Sequence, residues 1–296
     1  MHYRNHLSPP LFPTTWATTW GEDHFGLWMS LEYKGAGLTF RWILPGTFMM
    51  GSQGGEKGRY GDEDLHEVTL EQGFWLSDTP VTQAFWLAVT GENPSKFKGD
   101  ELPIETVSWD ESQSFINSLN RLHPDLTTRL PWEAEWEYAC RAGTATPFSF
   151  EGGIDSTKAN YRGVWEVKDI KSYENNKEWG NEALRQTSAM KSYPANLWGL
   201  YDMHGNVWEW CQDQWQENLG TESTVFNVLS EEKNKHSSKN LDDLQSAEES
   251  DEKKGQRVVR GGSWHYRGGY CRSACRNRYT PDDRNDFVGF RLALGH

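Results

Sequence analysis

The chain has 296 residues and a formal net charge of −13, with 43 acidic residues against 30 basic ones; that balance excludes general nucleic-acid binding, which needs a dense basic footprint. No apolar run approaches membrane-spanning length, and residues 1–13 lack the charged start, apolar centre and small-residue cleavage site of a secretory signal, so the expectation is a cytoplasmic protein with no membrane span. Four cysteines, Cys140, Cys211, Cys271 and Cys275, are too few and too scattered for a disulfide scaffold, and the C-x-x-x-C spacing of the last two fits neither a zinc ribbon nor a thioredoxin motif.

No linker divides the aromatic-rich part of the chain, which predicts an irregular arm over residues 1–15, with Pro9, Pro10 and Pro13, and a single domain over residues 16–296. Its sixteen tryptophans suit the core of a fold poor in regular structure. Residues 16–26 are turn-like, and residues 27–33 alternate as a strand. Residues 40–50 read as two short strands broken at Pro45 and Gly46, a turn pair by its chemistry. Residues 51–64, rich in Gly and charge, predict a loop, and residues 68–76 a further strand.

Three helices follow. The first starts at Thr79 and Pro80, with Pro80 at its first position and Gly91 past its end. In the second, Ser108 and Glu111 form a capping box before a stretch that sets Phe115, Leu119 and Leu122 on one face. The third runs from Pro131 to Gly143. Its Glu133, Glu135 and Glu137 alternate and cannot share one helical face, so a paired-carboxylate acid/base site is not expected; carboxylates favoured by the helix dipole are. Asn206 and Glu209, with the carbonyl of Val207 between them, supply oxygen ligands of the kind calcium prefers. Residues 216–255 are polar, charge-mixed and nearly free of aromatics, and predict a surface insertion with a short helix over residues 224–235.

Residues 257–296 close the chain. A strand and glycine turn over residues 257–264 and an apolar strand over residues 288–294 frame a loop dense in Tyr, Arg, Asp and Gly. Two framing strands can hold such a loop rigid, which marks it as the site of chemistry or recognition.

Six ordered stretches together resemble the formylglycine-generating enzyme (sulfatase-modifying factor) superfamily: ILPGTFMMGS at 43–52, VTLEQGFWLSDTPVT at 68–82, PIETVSWD at 103–110, RLPWEAEWEYACRAG at 129–143, WGLYDMHGNVWEW at 198–210, and VRGGSW at 259–264 with GFRL at 289–292. They cover most of residues 40–296. The resemblance implies an α+β domain of the C-type lectin type, with low regular secondary structure and a few helices around small antiparallel sheets. It also implies structural calcium at Asn206, Val207 and Glu209. The oxidases of that superfamily use two C-terminal cysteines to bind copper. Counted from the glycine turn, the second matches Cys271 and the first falls on Tyr266, while Cys275 lies on the wrong side to replace it. A cuprous ion held by paired thiolates needs both, so copper is not expected. The iron-binding H-x-x-x-H-x-E of another branch has no match, so iron is not expected either.

The segment is similar to the variable regions of diversity-generating retroelement proteins, in which Asn codons of a template are copied with adenine-specific mutation. Changing the first two bases of AAC or AAT never yields Lys, Glu, Gln, Met or Trp, and residues 265–288 contain none of these. The positions that depart from such a template are His265, Tyr266, Arg267, Gly269, Tyr270, Cys275, Arg278, Tyr279, Thr280, Asp283, Asp286 and Phe287. The opening TTWGEDHFGLWMSLEY also looks like the leader of many such proteins. This resemblance implies recognition of a protein or other macromolecular ligand, the twelve positions forming an outward patch. Arg272, Arg276, Arg284 and Arg291 are then frame residues that hold backbone carbonyls, Asp282 a turn residue, and Cys271 a buried small hydrophobe. The alternatives are an oxidase using Cys271 and a non-variable binding member of the superfamily.

Overall fold

The computed structural model describes residues 7–164, 180, 182–226 and 255–294. Its strands in chain order are β1 (Thr19–Asp23), β2 (Gly26–Tyr33), β3 (Ala36–Ile43), β4 (Gly46–Met50), β5 (His66–Leu70), β6 (Phe74–Ser77), β7 (Thr128–Arg129), β8 (Trp208–Gln214), β9 (Thr224–Phe226), β10 (Arg257–Arg260), β11 (Arg276–Tyr279), β12 (Val288–Gly289) and β13 (Ala293–Leu294). They form a six-stranded sheet ordered β1-β2-β3-β6-β13-β7, a four-stranded sheet ordered β11-β10-β8-β12 and a three-stranded sheet ordered β4-β5-β9. Three helices, α1 (Gln83–Thr90), α2 (Trp109–Leu122) and α3 (Glu133–Arg141), pack around them. This is the α+β architecture of short strands and few helices that the resemblance implies.

Several boundaries differ from expectation for identifiable reasons. Residues 19–23, expected as a turn, form β1, which pairs in register with β2 to make a hairpin around His24 and Phe25. The strand expected over residues 68–76 is split into β5 and β6 at Gly73, where a Cβ would lie 2.4 Å from the Trp42 ring and 2.7 Å from the Ile43 carbonyl. Helix α1 begins later than Pro80, because the backbone of Val81 is already committed: its N–H donates to Phe290 O (2.9 Å) and its carbonyl accepts from Ile104 N (2.8 Å). Thr82 is the cap instead, its hydroxyl accepting from Phe85 N (3.2 Å). At the other end Gly91 takes the left-handed conformation as expected.

Helix α2 carries the reciprocal capping box, Ser108 Oγ accepting from Glu111 N and Glu111 Oε2 from Ser108 N. It buries Phe115 and Leu119, but Leu122, in the last turn, is 45% exposed. Most of the helix expected over residues 224–235 lies outside the described residues; its first three residues are β9, parallel to β5.

The apolar segment expected as one strand over residues 288–294 serves two sheets. β12 runs parallel to β8, and β13 lies between β6 and β7. Between them Phe290 enters the main core against Trp86 and Phe115, while Leu292 exchanges hydrogen bonds with Ser77 through backbone and side chain. The C-terminal segment thereby stitches the two larger sheets together. The arm is tied down where it is described: Trp42 Nε1 donates to Leu7 O, and Phe12 stacks on Trp75.

The C-terminal segment as candidate functional site

Four buried arginines fix this segment. Arg272, with no side-chain exposure, is bidentate on Glu63 (2.5 and 2.9 Å), pairs with Glu56 (2.7 Å) and donates to the carbonyls of Gly58 and Gly269. Arg276 is bidentate on Glu133 (2.6 and 2.9 Å) and donates to Asp62 O and Gln216 O. Arg291 is bidentate on Glu209 (2.6 and 2.8 Å) and donates to Ser77 O and Tyr201 O. Arg260, which sequence reasoning left out, bonds Glu137 and the carbonyls of Ser273, Ala274 and Cys275. Planar guanidinium forks match these bidentate and carbonyl contacts. Arg284 differs: half exposed, it pairs with Glu111 at the surface (2.9 Å), where an ion pair contributes little.

The same contacts correct the reading of Glu133, Glu135 and Glu137. All three are buried, Glu135 by pairing with Arg129 and accepting from Trp132 N, and Glu137 by bonding Arg141 and Arg260. Burial opposes ionisation of Glu133, but the Arg276 and Arg260 charges outweigh it and hold its carboxyl below the usual range. Through Glu133 and Glu137, helix α3 thus supplies counter-ions for the segment. The signal in the sequence was the abundance of arginine in residues 257–291 set against an acidic helix with no basic partners of its own beyond its ends.

On this frame the backbone is pinned from several sides: Trp264 N donates to Asn206 O, Trp208 N to Phe287 O, Ser273 N to Pro147 O and Thr106 N to Asn285 O, all between 2.8 and 3.0 Å. Most expected surface positions then face outward. His265, Tyr266, Gly269, Tyr270, Tyr279, Thr280, Asp283, Asp286 and Phe287 are half-buried and Arg278 is exposed. The two exceptions are Arg267, 4% exposed at the start of a 3₁₀ turn over Gly268–Cys271, and Cys275, which is fully buried in the main core. Each points inward, so neither belongs to the patch.

The patch centres on aromatic rings in contact. Tyr266 meets Tyr270 (5.1 Å between centroids) and Phe287 (5.5 Å), and its hydroxyl shares a 2.9 Å hydrogen bond with that of Tyr279. His265 stacks on Phe287 at 5.4 Å, and burial keeps its ring below the ordinary imidazole value. Beneath lie the fully buried Trp208 and Trp210, edge-on to Tyr266 and Tyr279 respectively. Tyr60 from the glycine-rich loop extends the patch beside Tyr270 (5.4 Å). Nothing but an exposed aromatic in a polar loop marked it in the sequence. At the rim Arg278 lies over the Trp215 ring, Asp286 pairs with Lys96, and Thr280 and Asp283 close a turn on each other.

Cys140, Cys211, Cys271 and Cys275 are all free and buried. Burial pushes the Cys140 thiol up to about 12 and raises the other three well above the ordinary value. Cys271, the position an oxidase would use, is a neutral thiol with no solvent exposure in a small apolar cluster with Phe148, Ile154 and Tyr161.

The donors expected for calcium do not fit that ion. Both Glu209 oxygens lie on Arg291, and Trp136 Nε1 donates to one of them. Asn206 Oδ1 accepts from Ser188 N and Asn160 Nδ2, and Val207 is buried. Asn160 Oδ1 is a buried oxygen with no hydrogen-bond partner beside them, far short of the six to eight or so that calcium takes. Among the described residues no group of three or more His, Cys, Asp or Glu is placed to hold a metal ion. Nor is any helix among them long and apolar enough to cross a membrane.

Residues 34–295 match the sulfatase-modifying factor enzyme 1-like domain. The mouse formylglycine-generating enzyme is 30% identical over 236 residues, 78% of this chain and 54% of that protein; the chain thus spans about half the length of this relative. Among solved structures, Treponema denticola variable protein 1 superposes with a TM-score of 0.65 at 24% identity, covering 90% of this chain and 98% of that one. PvdO from Pseudomonas aeruginosa superposes with a TM-score of 0.64 at 25% identity, covering 95% and 99%.

Proposed function

Since the chain belongs to the sulfatase-modifying factor enzyme 1-like family, whose shared scaffold leaves function to the site mounted on it, we propose that it is a recognition protein: the variable protein of a diversity-generating retroelement, binding a protein or other macromolecular ligand through the aromatic patch of its C-terminal segment. The observation that carries this reading is a partition within one stretch of chain. Arg272, Arg276 and Arg291, which such a template would keep, are buried in ion pairs with acids from distant parts of the fold. The positions it would vary, all but Arg267 and Cys275, lie at the surface.

Tyrosine rings offer large, rigid, amphipathic contact area at low entropic cost, and Gly and Thr adapt around them, as in an antibody paratope. Variation there leaves the arginine frame untouched. The fold likeness to Treponema denticola variable protein 1 agrees with this reading. The DNA beside the coding region tests it: an adenine-rich near-repeat of the codons for residues 257–294, next to a reverse transcriptase, is expected, and its absence would overturn the variable reading.

The second reading, an oxidase like the formylglycine-generating relatives, is favoured by the 30% identity to the mouse enzyme and disfavoured by Tyr266 at the position of one thiol and by the buried, neutral Cys271. Purified protein given cuprous ion, oxygen and a cysteine-containing peptide is expected to bind no copper and convert no thiol. Conversion that disappears in Cys271→Ser would establish the oxidase instead.

A further inference from the structure

The six-stranded sheet ends at β1, and no strand among the described residues pairs with its outer side. Its register with β2 runs from Asp23–Gly26 at the hairpin end back to Thr19–Ser30, where Thr18 N also donates to Ser30 O (2.8 Å). Antiparallel pairs alternate in bonding. From the pair that closes the hairpin, Asp23, Gly21 and Thr19 turn their backbone groups to β2, and Trp20 and Glu22 turn theirs outward. Proline, lysine and bulges are the usual guards of such an edge, and the register holds none of them between Thr19 and Asp23. The Asp23 carboxylate is neutralised by Arg41, whose guanidinium holds it at 2.8 and 2.9 Å. Trp20 stands on the edge 51% exposed.

From this geometry we infer that β1 pairs with β1 of a second copy of the chain, antiparallel about Gly21, so that two six-stranded sheets join across a two-fold axis. Such an interface is isologous, each copy giving the same strand. The register follows from which groups point outward. Setting Trp20 opposite Glu22 of the second copy, and Glu22 opposite its Trp20, engages every outward N–H and carbonyl of both residues. Setting Glu22 on Glu22 opposes like charges. Setting Trp20 on Trp20 leaves Glu22 against Thr18, whose N–H is already given to Ser30.

In the favoured register Gly21 meets Gly21 at the axis, a non-hydrogen-bonded pair in which Cα atoms approach to about 4.5 Å and side chains crowd most. The two Trp20 residues become diagonal neighbours on one face, about 7–8 Å apart, near enough for their rings to cover each other. Five residues make a short edge, and each copy carries a net charge of −13. Association is therefore weak and strengthens as salt screens that repulsion. β1 and the β11 strand of the aromatic patch belong to different sheets, so the pairing stands apart from the recognition reading.

Sedimentation equilibrium of the whole chain up to millimolar concentration tests it, with a monomer–dimer equilibrium that tightens from low to high salt as the expected result. Trp20→Lys and Glu22→Pro, both at exposed positions, should each weaken association by at least about tenfold with the circular dichroism unchanged, the proline removing only an outward N–H. A mixture of Trp20→Cys and Glu22→Cys proteins should crosslink under mild oxidation, because the two positions lie opposite at about 5.5 Å between Cα atoms, within disulfide reach. Neither protein should do so alone, and the four natural thiols are buried. A monomer at every concentration, association indifferent to both substitutions, or crosslinking of either single-cysteine protein as fast as the mixture would each overturn the inference.

Discussion

Replacing Arg291 with Met tests whether the arginine frame holds the fold. The substitution keeps the unbranched stem and removes the guanidinium, leaving Glu209 fully buried with Trp136 Nε1 as its remaining side-chain donor. Stranding one member of a buried ion pair costs about 3–5 kcal/mol. The carbonyls of Ser77 and Tyr201 lose a donor as well, at about 1 kcal/mol each. A domain of this size class loses roughly 2–4 °C of Tm per kcal/mol, so a fall on the order of 10–30 °C is expected. Thermal unfolding followed by circular dichroism, with urea titration for the free energy, measures it, and Glu209→Leu in the Arg291→Met background should restore much of the loss. A fall below about 1 kcal/mol, or no recovery in the double variant, would refute the pairing. Repeating both in EDTA and in Ca²⁺ separates the assignments, since Glu209 acting as a calcium ligand predicts that EDTA alone destabilises the unaltered protein.

Three other outcomes follow from the same contacts. All four thiols should resist a disulfide reagent at pH 8 in the folded protein and react together on unfolding, because burial keeps them protonated; rapid reaction of Cys271 in the native state would contradict its placement. His204, whose value burial lowers to about 4, stays neutral in the fold while its unfolded counterpart takes a proton near pH 6.5. Stability should therefore fall by about 3 kcal/mol as pH drops from 6.5 to 4 and level off below, and His204→Gln should flatten that slope in pH-dependent urea unfolding. Gly262→Ala should cost roughly 2–4 kcal/mol, since the residue has φ 73° and a Cβ there would lie 2.6 Å from Cys271 Sγ; a near-neutral result would mean that the turn is built differently.

Local signals carried well from sequence to structure. The Ser108–Glu111 box, the left-handed Gly91 and the break at Pro45 each depend on neighbours within a few residues, and each is where its chemistry places it. What did not carry depends on distant partners. Pro80 is not the first residue of α1 because Val81 is bonded to Phe290 and Ile104, and no local pattern reveals that. The division of residues 288–294 between two sheets comes from Ser77 and Trp208, again far away in the chain. At the candidate site, residue types pointed to an outward patch, and rings such as Tyr266, Tyr270 and Tyr279 are there. They did not separate Arg267 and Cys275, which share the permitted types but turn inward. The acids of α3 were legible only in part for the same reason: Glu133 and Glu135 do stand in its first turn, where a carboxylate suits the dipole, but nothing local shows that arginines from beyond residue 257 reach Glu133 and Glu137.

The arginine clasps span long stretches of chain: Arg272 meets Glu63 across 209 residues and Arg276 meets Glu133 across 143. During synthesis these acids emerge from the ribosome well before their partners, and until residues 257–294 follow they are carboxylates in a half-built interior that water has to solvate. Closure of the domain therefore waits on its C-terminal segment. A copy of that segment altered only at its outward rings completes the fold, whereas one damaged at Arg260, Arg272, Arg276 or Arg291 leaves an open chain for cellular proteases to remove. Completion of the fold thus depends on the segment's buried arginines and not on its outward rings.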